Sequence, residues 1–320
     1  MDKLIRLSCS DVGELEKIAI SDIIDAGYLG MGKTVGEFED KIKKLLGAEE
    51  VVCVNSGTAA LHLGLMGMGL NPGDEVLVQS LTYVASFQAI TASMLVPVAC
   101  EIIPETFTID LDDARKRLTP RTRAIMPVHY AGRTGDIDEI YAFANKHGLR
   151  IIEDAAHAFG CRADSGMVGA TSDIACFSFD GIKNITSGEG GCVVTSDKNL
   201  ADYVRDARLL GVKRDTEKRL AGARSWEFEC QHQGYRYHMS ELFAAIGIAQ
   251  LSRLENEFGP RRKELARNYD VMLDGIEGIV TFTGNYDKII PHIYPIRVKG
   301  RMRDGLIGHM KGAGIEAVIA

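Results

Sequence analysis

From Glu50 onward, short runs of consecutive apolar residues alternate with stretches whose apolar positions recur every three or four residues. The runs are Val51 to Asn55, Glu75 to Ser80, Val96 to Ile102, Arg123 to His129, Arg150 to Glu153, Ile174 to Phe179 and Gly191 to Thr195. Their length and β-branched content predict strands. Several stay apolar on successive positions, as in Ala124-Ile125-Met126-Pro127-Val128, which suits a sheet covered by helices on both faces. Between them, Ile137 to His147, closed by Gly148, and Asn199 to Leu210, closed by Gly211, predict helices. Strand alternating with helix predicts an α/β fold. Near Met239 the pattern changes: Ser240 to Leu254 and Arg261 to Leu273 predict helices, and Ile293 to Val298 opens a new strand. The division this suggests is a large domain over residues 1–240 and a smaller one over 241–320.

Composition narrows the function classes. A hydrophobic content of 46% with 25% charged residues is that of an ordinary folded globule, which excludes disorder. The net charge of -7, with no long basic run, argues against nucleic acid as a partner. Seven cysteines (Cys9, Cys53, Cys100, Cys161, Cys176, Cys192, Cys230) occur singly, in odd number and without Cys-x-x-Cys spacing. They read as buried free thiols, and no metal is expected. Met1 to Arg6 lacks the apolar core of a signal peptide, and no uncharged stretch is long enough to span a bilayer. The reading is a cytoplasmic protein that uses neither membrane nor nucleic acid.

Three segments carry chemistry. After strand Val51 to Asn55 comes Ser56-Gly57-Thr58 and an apolar helix from Ala59 to about Met68. Amides at a helix N-terminus, with a glycine allowing close approach, form an anion site; a simple capped helix is the alternative. Asp154 ends a buried strand, where α/β proteins place ligand contacts, and a carboxylate there either holds a pyridinium nitrogen or caps the turn that follows. His157 lies three residues on. Lys183 sits in Ser178 to Asn184, between two apolar strands and just before Gly188-Glu189-Gly190-Gly191. In that tight connection it suits a Schiff-base lysine better than a solvated surface charge, and Ser178 is placed to donate to a phosphate. Tyr83 follows strand Glu75 to Ser80 and either stacks on a ring or fills the core.

Gly27-Tyr28-Leu29-Gly30-Met31-Gly32-Lys33-Thr34 satisfies the P-loop pattern, with Ile151 to Asp154 resembling an acidic strand of a nucleotide hydrolase. A P-loop must follow a buried strand. Here Leu15, Ile18, Ile20, Ile23 and Ile24 have helical spacing, so the pattern is read as a decoy.

Taken in order, Asn55 to Leu61, Glu153-Asp154-Ala155-Ala156-His157, Ser178 to Asn184 with Gly188 to Gly191, and Gly234-Tyr235-Arg236-Tyr237-His238-Met239-Ser240 resemble the DegT family of sugar-nucleotide aminotransferases. The resemblance runs from about Gly27 to the C-terminus. It implies a type I pyridoxal-phosphate fold, with a large domain built on a mostly parallel sheet covered by helices and a smaller C-terminal α/β domain. It also implies a homodimer that moves an amino group from L-glutamate onto a nucleotide-linked keto-6-deoxy sugar, at C4 or alternatively C3, by a ping-pong route that supplies deoxy amino sugars for polysaccharide or O-antigen. Carried over by motif, Lys183 is the Schiff-base lysine, Asp154 the ring-nitrogen partner and His157 the neighbour of the ring hydroxyl. Gly57, Thr58, Ala59 and Ser178 form the phosphate cradle, and Tyr83 is the stacking ring. Two departures stand out. Arg236 occupies a position where the family carries an asparagine that reaches the partner subunit's phosphate, and the chain stops at Val318-Ile319-Ala320, short of its relatives, which leaves a truncated small domain or an open site as the expectation. A pyridoxamine-dependent dehydratase of the same fold replaces the lysine by histidine, so Lys183 argues against it. A catalytically silent relative is the remaining alternative.

Overall fold

The computed structural model describes residues 4–213, 215–223, 229–282 and 284–319. Met1 to Lys3, where the N-terminal segment read for a leader begins, and Ala320 lie outside the described residues. The central sheet contains β1 (Glu50–Val54), β2 (Glu75–Gln79), β3 (Val96–Cys100), β4 (Thr122–Met126), β5 (Arg150–Asp154), β6 (Ile174–Ser178) and β7 (Gly191–Thr195). Their spatial order is β1-β7-β6-β5-β4-β2-β3. Strands β3, β2, β4, β5 and β6 are mutually parallel, whereas β7 runs antiparallel to both β6 and β1. The expected α/β architecture with a mostly parallel sheet is therefore present.

Helices α1 (Glu14–Ala26), α2 (Lys33–Leu46), α3 (Gly57–Gly67), α4 (Val84–Ala92), α5 (Ile137–His147), α6 (Lys198–Ala207), α7 (Glu241–Arg253) and α8 (Gly259–Leu273) surround the sheet. Successive strand residues point to opposite faces. Val51 and Cys53 of β1 join a core with Val35, Phe38 and Ile42 of α2, while Val52 and Val54 join another with Leu61, Leu63 and Leu65 of α3. Ile151 and Ile152 of β5 divide in the same way, Ile151 packing with Ile140 and Phe143 of α5. Both faces are thus covered, as the uninterrupted apolar runs predict.

Four expectations need correction. The helix foreseen to Leu210 stops at Ala207, because residues 208–210 turn away to pair with 235–237: Tyr235 N donates to Ala207 O at 2.6 Å and Tyr237 N to Arg208 O at 3.1 Å. Leu210 and Gly211 then take φ of 69° and 70°. Of the strand foreseen over Ile293 to Val298, only Arg297–Val298 forms, paired antiparallel with Ile279–Val280; Pro295 lacks the N–H a ladder needs. Pro127 likewise ends β4 early. Finally, Cys9 and Cys230 are exposed rather than buried; they lie outside the sheet that buries the other five. Burial pushes the thiols of Cys100 and Cys161 up to about 12, so those two are not reactive thiolates.

After the change of pattern at residue 240, α7 lies against α1 and α2. Beyond α8, the chain adds the Ile279–Val280 and Arg297–Val298 ribbon and a helix over Arg303–Gly312, and Ile315 pairs with Ile5 near the N-terminus. No helix among the described residues is long and apolar enough to cross a membrane.

The P-loop pattern falls between two helices, α1 and α2, as its preceding residues foretell. Glu241 fills the anion position at the start of α2: its carboxylate accepts from the amides of Gly32 at 2.9 Å, Thr34 at 3.0 Å and Val35 at 3.0 Å. Gly32 is a glycine because a Cβ there would lie 2.8 Å from Tyr28 Cε1 and 3.2 Å from Glu241 Cδ. Glu241→Ala should lower the unfolding free energy by roughly 2–3 kcal/mol, since it strands helix-terminal donors in a buried setting. Urea denaturation measures the loss, and ATP should leave the wild-type midpoint unmoved; a rise with ATP would restore the nucleotide reading.

Candidate active site

Two strand reversals bring the chemical segments to one edge. Because β7 opposes both its neighbours, β1 runs parallel to β6, and Val54, Gly191 and Ser178 lie side by side in register. The C-terminal ends of β1, β5 and β6 therefore deliver Ser56, Asp154 and Ser178 together, while the β6–β7 connection, residues 179–190, carries Lys183. Gly191 permits this crowding, since a Cβ there would sit 2.6 Å from Phe177 O and 2.7 Å from Ser56 O.

Ser56 caps α3, its Oγ accepting from the Ala59 amide at 3.1 Å. The Ala59 amide, expected in the phosphate cradle, is thus already engaged. The amides of Gly57 and Thr58 have no acceptor among the described residues. Buried Ser178 faces this turn so closely that a Cβ on Gly57 would come within 2.8 Å of the Ser178 Cβ. Free amides, a helix N-terminus and a hydroxyl make an anion cradle.

Asp154 is buried at the end of β5. Its Oδ2 accepts from Ser86 Oγ at 2.6 Å, and Ser86 Oγ in turn lies 2.6 Å from Thr82 Oγ1; its Oδ1 accepts from the Ala156 amide at 3.2 Å. One oxygen caps the turn, as the capping reading of this residue expects, and the other is held by a hydroxyl chain. Ser86 was not foreseen, although its place one turn into α4, just after a strand end, is a signal of the same kind that marks Ser56.

His157 is half-buried, its Nδ1 accepting from the Ala131 amide at 3.4 Å, with Tyr130 on one side. Burial first, then the neighbouring Lys183, pushes the imidazole down to about 3, so it is neutral near neutral pH. Burial also lowers the Lys183 amine below its usual range, against the opposing pull of Asp154 and Asp180. Tyr83 does not fill the core: its ring is 75% exposed at the start of α4. Arg236 is exposed as well, and its carbonyl accepts from Asn55 Nδ2 at 3.4 Å, which sets it beside the α3 turn. Sequence patterning also missed His292 and Arg262, which approach Lys183 from the C-terminal third of the chain.

The profile of the DegT/DnrJ/EryC1/StrS aminotransferase family matches residues 10–320. The chain belongs to this family. It is 36% identical over 288 residues to the spore coat polysaccharide biosynthesis protein SpsC of Bacillus subtilis, covering 90% of this chain and 74% of SpsC. Among solved structures, DesV of S. venezuelae in complex with a ketimine intermediate shares 35% identity and a TM-score of 0.85, over 94% of this chain and 78% of DesV. The aminotransferase TlmJ of Streptoalloteichus hindustanus shares 30% identity and a TM-score of 0.91, over 99% and 84% respectively. This DegT-family chain is a sugar aminotransferase with the type I fold, and its cofactor is pyridoxal phosphate. The residues present fit that group: a cradle with unpaired amides suits a phosphate, and the buried Asp154 carboxylate at a strand end suits a pyridine nitrogen.

The depressed imidazole sets a pH dependence. Between the ordinary value of 6.5 and about 3, the unfolded chain binds a proton at His157 that the folded chain does not, so stability falls as pH drops through that window. His157→Gln should flatten the dependence by about 1.4 kcal/mol per pH unit. Urea midpoints of the cofactor-free protein across the window provide the check, and an unaltered slope would place the ring in solvent.

Proposed function

We propose that this chain transfers the amino group of L-glutamate to a nucleotide-linked keto-6-deoxy sugar, at C4, in two half-reactions at a site completed by a homodimer. The observation that carries the reading is the meeting, at one sheet edge, of a lysine amine lowered by burial, a hydroxyl-held carboxylate and a helix N-terminus with unpaired amides. The similarity to SpsC, a spore coat polysaccharide biosynthesis protein, supports a sugar as acceptor.

In this reading the Gly57 and Thr58 amides and Ser178 Oγ hold the phosphate, with the positive end of α3 behind them. Asp154 binds the ring nitrogen, its rotamer fixed by Ser86 and the Ala156 amide. His157, neutral, lies beside the ring hydroxyl, and the uncovered Tyr83 ring is available to stack on one face of the cofactor. Pyridoxal phosphate, when bound, supplies the electron sink that allows an amino group to be exchanged between two carbon skeletons. Lys183 would move the protons: its amine would take the α-proton of the donor and pass it on to the cofactor, with burial enlarging its neutral, basic fraction. Arg236, exposed beside the α3 turn, has a guanidinium suited to a phosphate oxygen across a dimer interface.

Lys183→Ala should lower turnover with glutamate by about 10²–10⁴ or more, and a panel of nucleotide-linked 3-keto and 4-keto sugars reads both the loss and the position of transfer. Borohydride reduction with peptide mapping should place the pyridoxyl adduct on Lys183, and an adduct on another lysine would overturn the assignment. Gly57→Ala, which drives a methyl into Ser178, should weaken cofactor affinity by roughly tenfold or more, the equivalent of one charge-assisted hydrogen bond. Sedimentation should show a dimer, and Arg236→Ala should reduce cofactor retention while leaving the thermal transition in place; a fully active monomer would count against the shared site.

A further inference from the structure

Three contacts converge on His292. Its Nε2 lies 3.5 Å from Lys183 Nζ. Its ring packs on His157, with centroids 4.3 Å apart and planes at 44°. Its carbonyl accepts from Arg262 Nη1 at 3.2 Å, and the same guanidinium donates to Pro291 O at 3.3 Å and, through Nη2, to Lys183 O at 3.2 Å. One cation therefore ties the backbone at residue 183 to the backbone at 291–292, and that tie sets the ring against the amine. The imidazole is buried, and its Nδ1 has no hydrogen-bond partner.

Burial, then His157, Lys183 and Arg262, holds this imidazole well below its ordinary range and hence neutral. A neutral imidazole accepts at one nitrogen and carries its proton on the other, and in the tautomer protonated at Nδ1 it is Nε2, the nitrogen facing the amine, that accepts. A neutral amine has two N–H groups and one lone pair. Giving one N–H to a fixed acceptor orients the lone pair.

Resting on the aminotransferase reading, we propose that His292 is a catalytic residue of this site: it accepts one N–H of Lys183 and orients the amine for its bond-forming step, with Arg262 as the positioning residue that sets the contact. No proton leaves Lys183 in this contact. A length of 3.5 Å is at the outer limit of a hydrogen bond, and contacts of this kind tighten as a reacting group closes the site. The other groups acting on the pair are His157, which stacks on the ring, and Asp154 and Asp180, which favour the charged lysine.

The test uses His292→Phe, which keeps a ring against His157 and removes the acceptor, and His292→Gln, which restores an acceptor without the ring. Acetic anhydride labelling of Lys183 in cofactor-free protein, followed by peptide mass across pH, reads the amine directly. Loss of the acceptor destabilises the ammonium form, so His292→Phe should move the labelling midpoint down by about one pH unit, and His292→Gln should move it back. In loaded enzyme, the single-turnover rate with glutamate should fall on the order of 10² in His292→Phe, as for a misplaced reacting group, with glutamate affinity retained. Arg262→Gln, which leaves the ring untouched, should shift the midpoint in the same direction. An unmoved midpoint in His292→Phe, or a His292→Gln protein that behaves like it, would overturn the proposal. Borohydride mapping that finds no adduct on Lys183 in the wild type would instead overturn the aminotransferase assignment, because the labelling profile needs no cofactor.

Discussion

Both faces of the seven-stranded sheet are covered, so a polar side chain along its length must find a partner, and only the strand ends are open to a ligand. Adjacent residues of β5 show the two outcomes. Glu153 points into the layer under α5, where its oxygens meet His129 Nε2 and Tyr141 OH, each at 2.7 Å. Burial pushes its carboxyl up, but the bonds from His129, Ser172 and Tyr141 outweigh that and hold it below the usual range. Asp154, one residue on and on the other face, has only a hydroxyl and an amide, and so keeps capacity for another donor. The pleat separates a carboxylate held by side chains on both oxygens from one that can still accept.

A second buried charge is fixed where α6 ends. Arg208, fully buried at the end of α6, donates through Nη1 to Glu39 Oε1 and to Cys53 O, each at 2.5 Å, while the Cys53 amide donates to the same Glu39 oxygen at 2.8 Å. Removing either partner would leave a buried charge unpaired, which typically costs about 3–5 kcal/mol. Just beyond, residues 208–210 pair with 235–237, and Arg236 comes to lie beside Asn55.

The sheet was legible in the sequence because burial on both faces leaves an apolar run with little ambiguity, and α5 was legible because Asp136 and Gly148 mark its ends in the local chain. Lys183, Asp154 and the Ser56 turn were legible for the same reason: each belongs to a strand end that can be read locally. What escaped was set by distant partners. His292 meets a lysine 109 residues away, and Ser86 an aspartate 68 residues away, and no spacing rule within a window reaches that far. The overlong α6 failed likewise, through the pairing of residues 208–210 with 235–237, whereas the strand over residues 293–298 is cut short by Pro295.

Glu241 belongs to α7, yet it closes the N-terminus of α2, and its own amide donates back to the carbonyls of Leu29 and Gly30. The two ends of this clasp lie 209 residues apart in the chain, as the Gly32 bond shows. Exchange of the Gly27 to Thr34 loop between relatives is therefore not a modular operation. A grafted loop keeps its shape only if the recipient offers a carboxylate from the first turn of α7 and the donor a glycine at position 32, so the inheritable unit is the loop together with a residue from the far half of the protein.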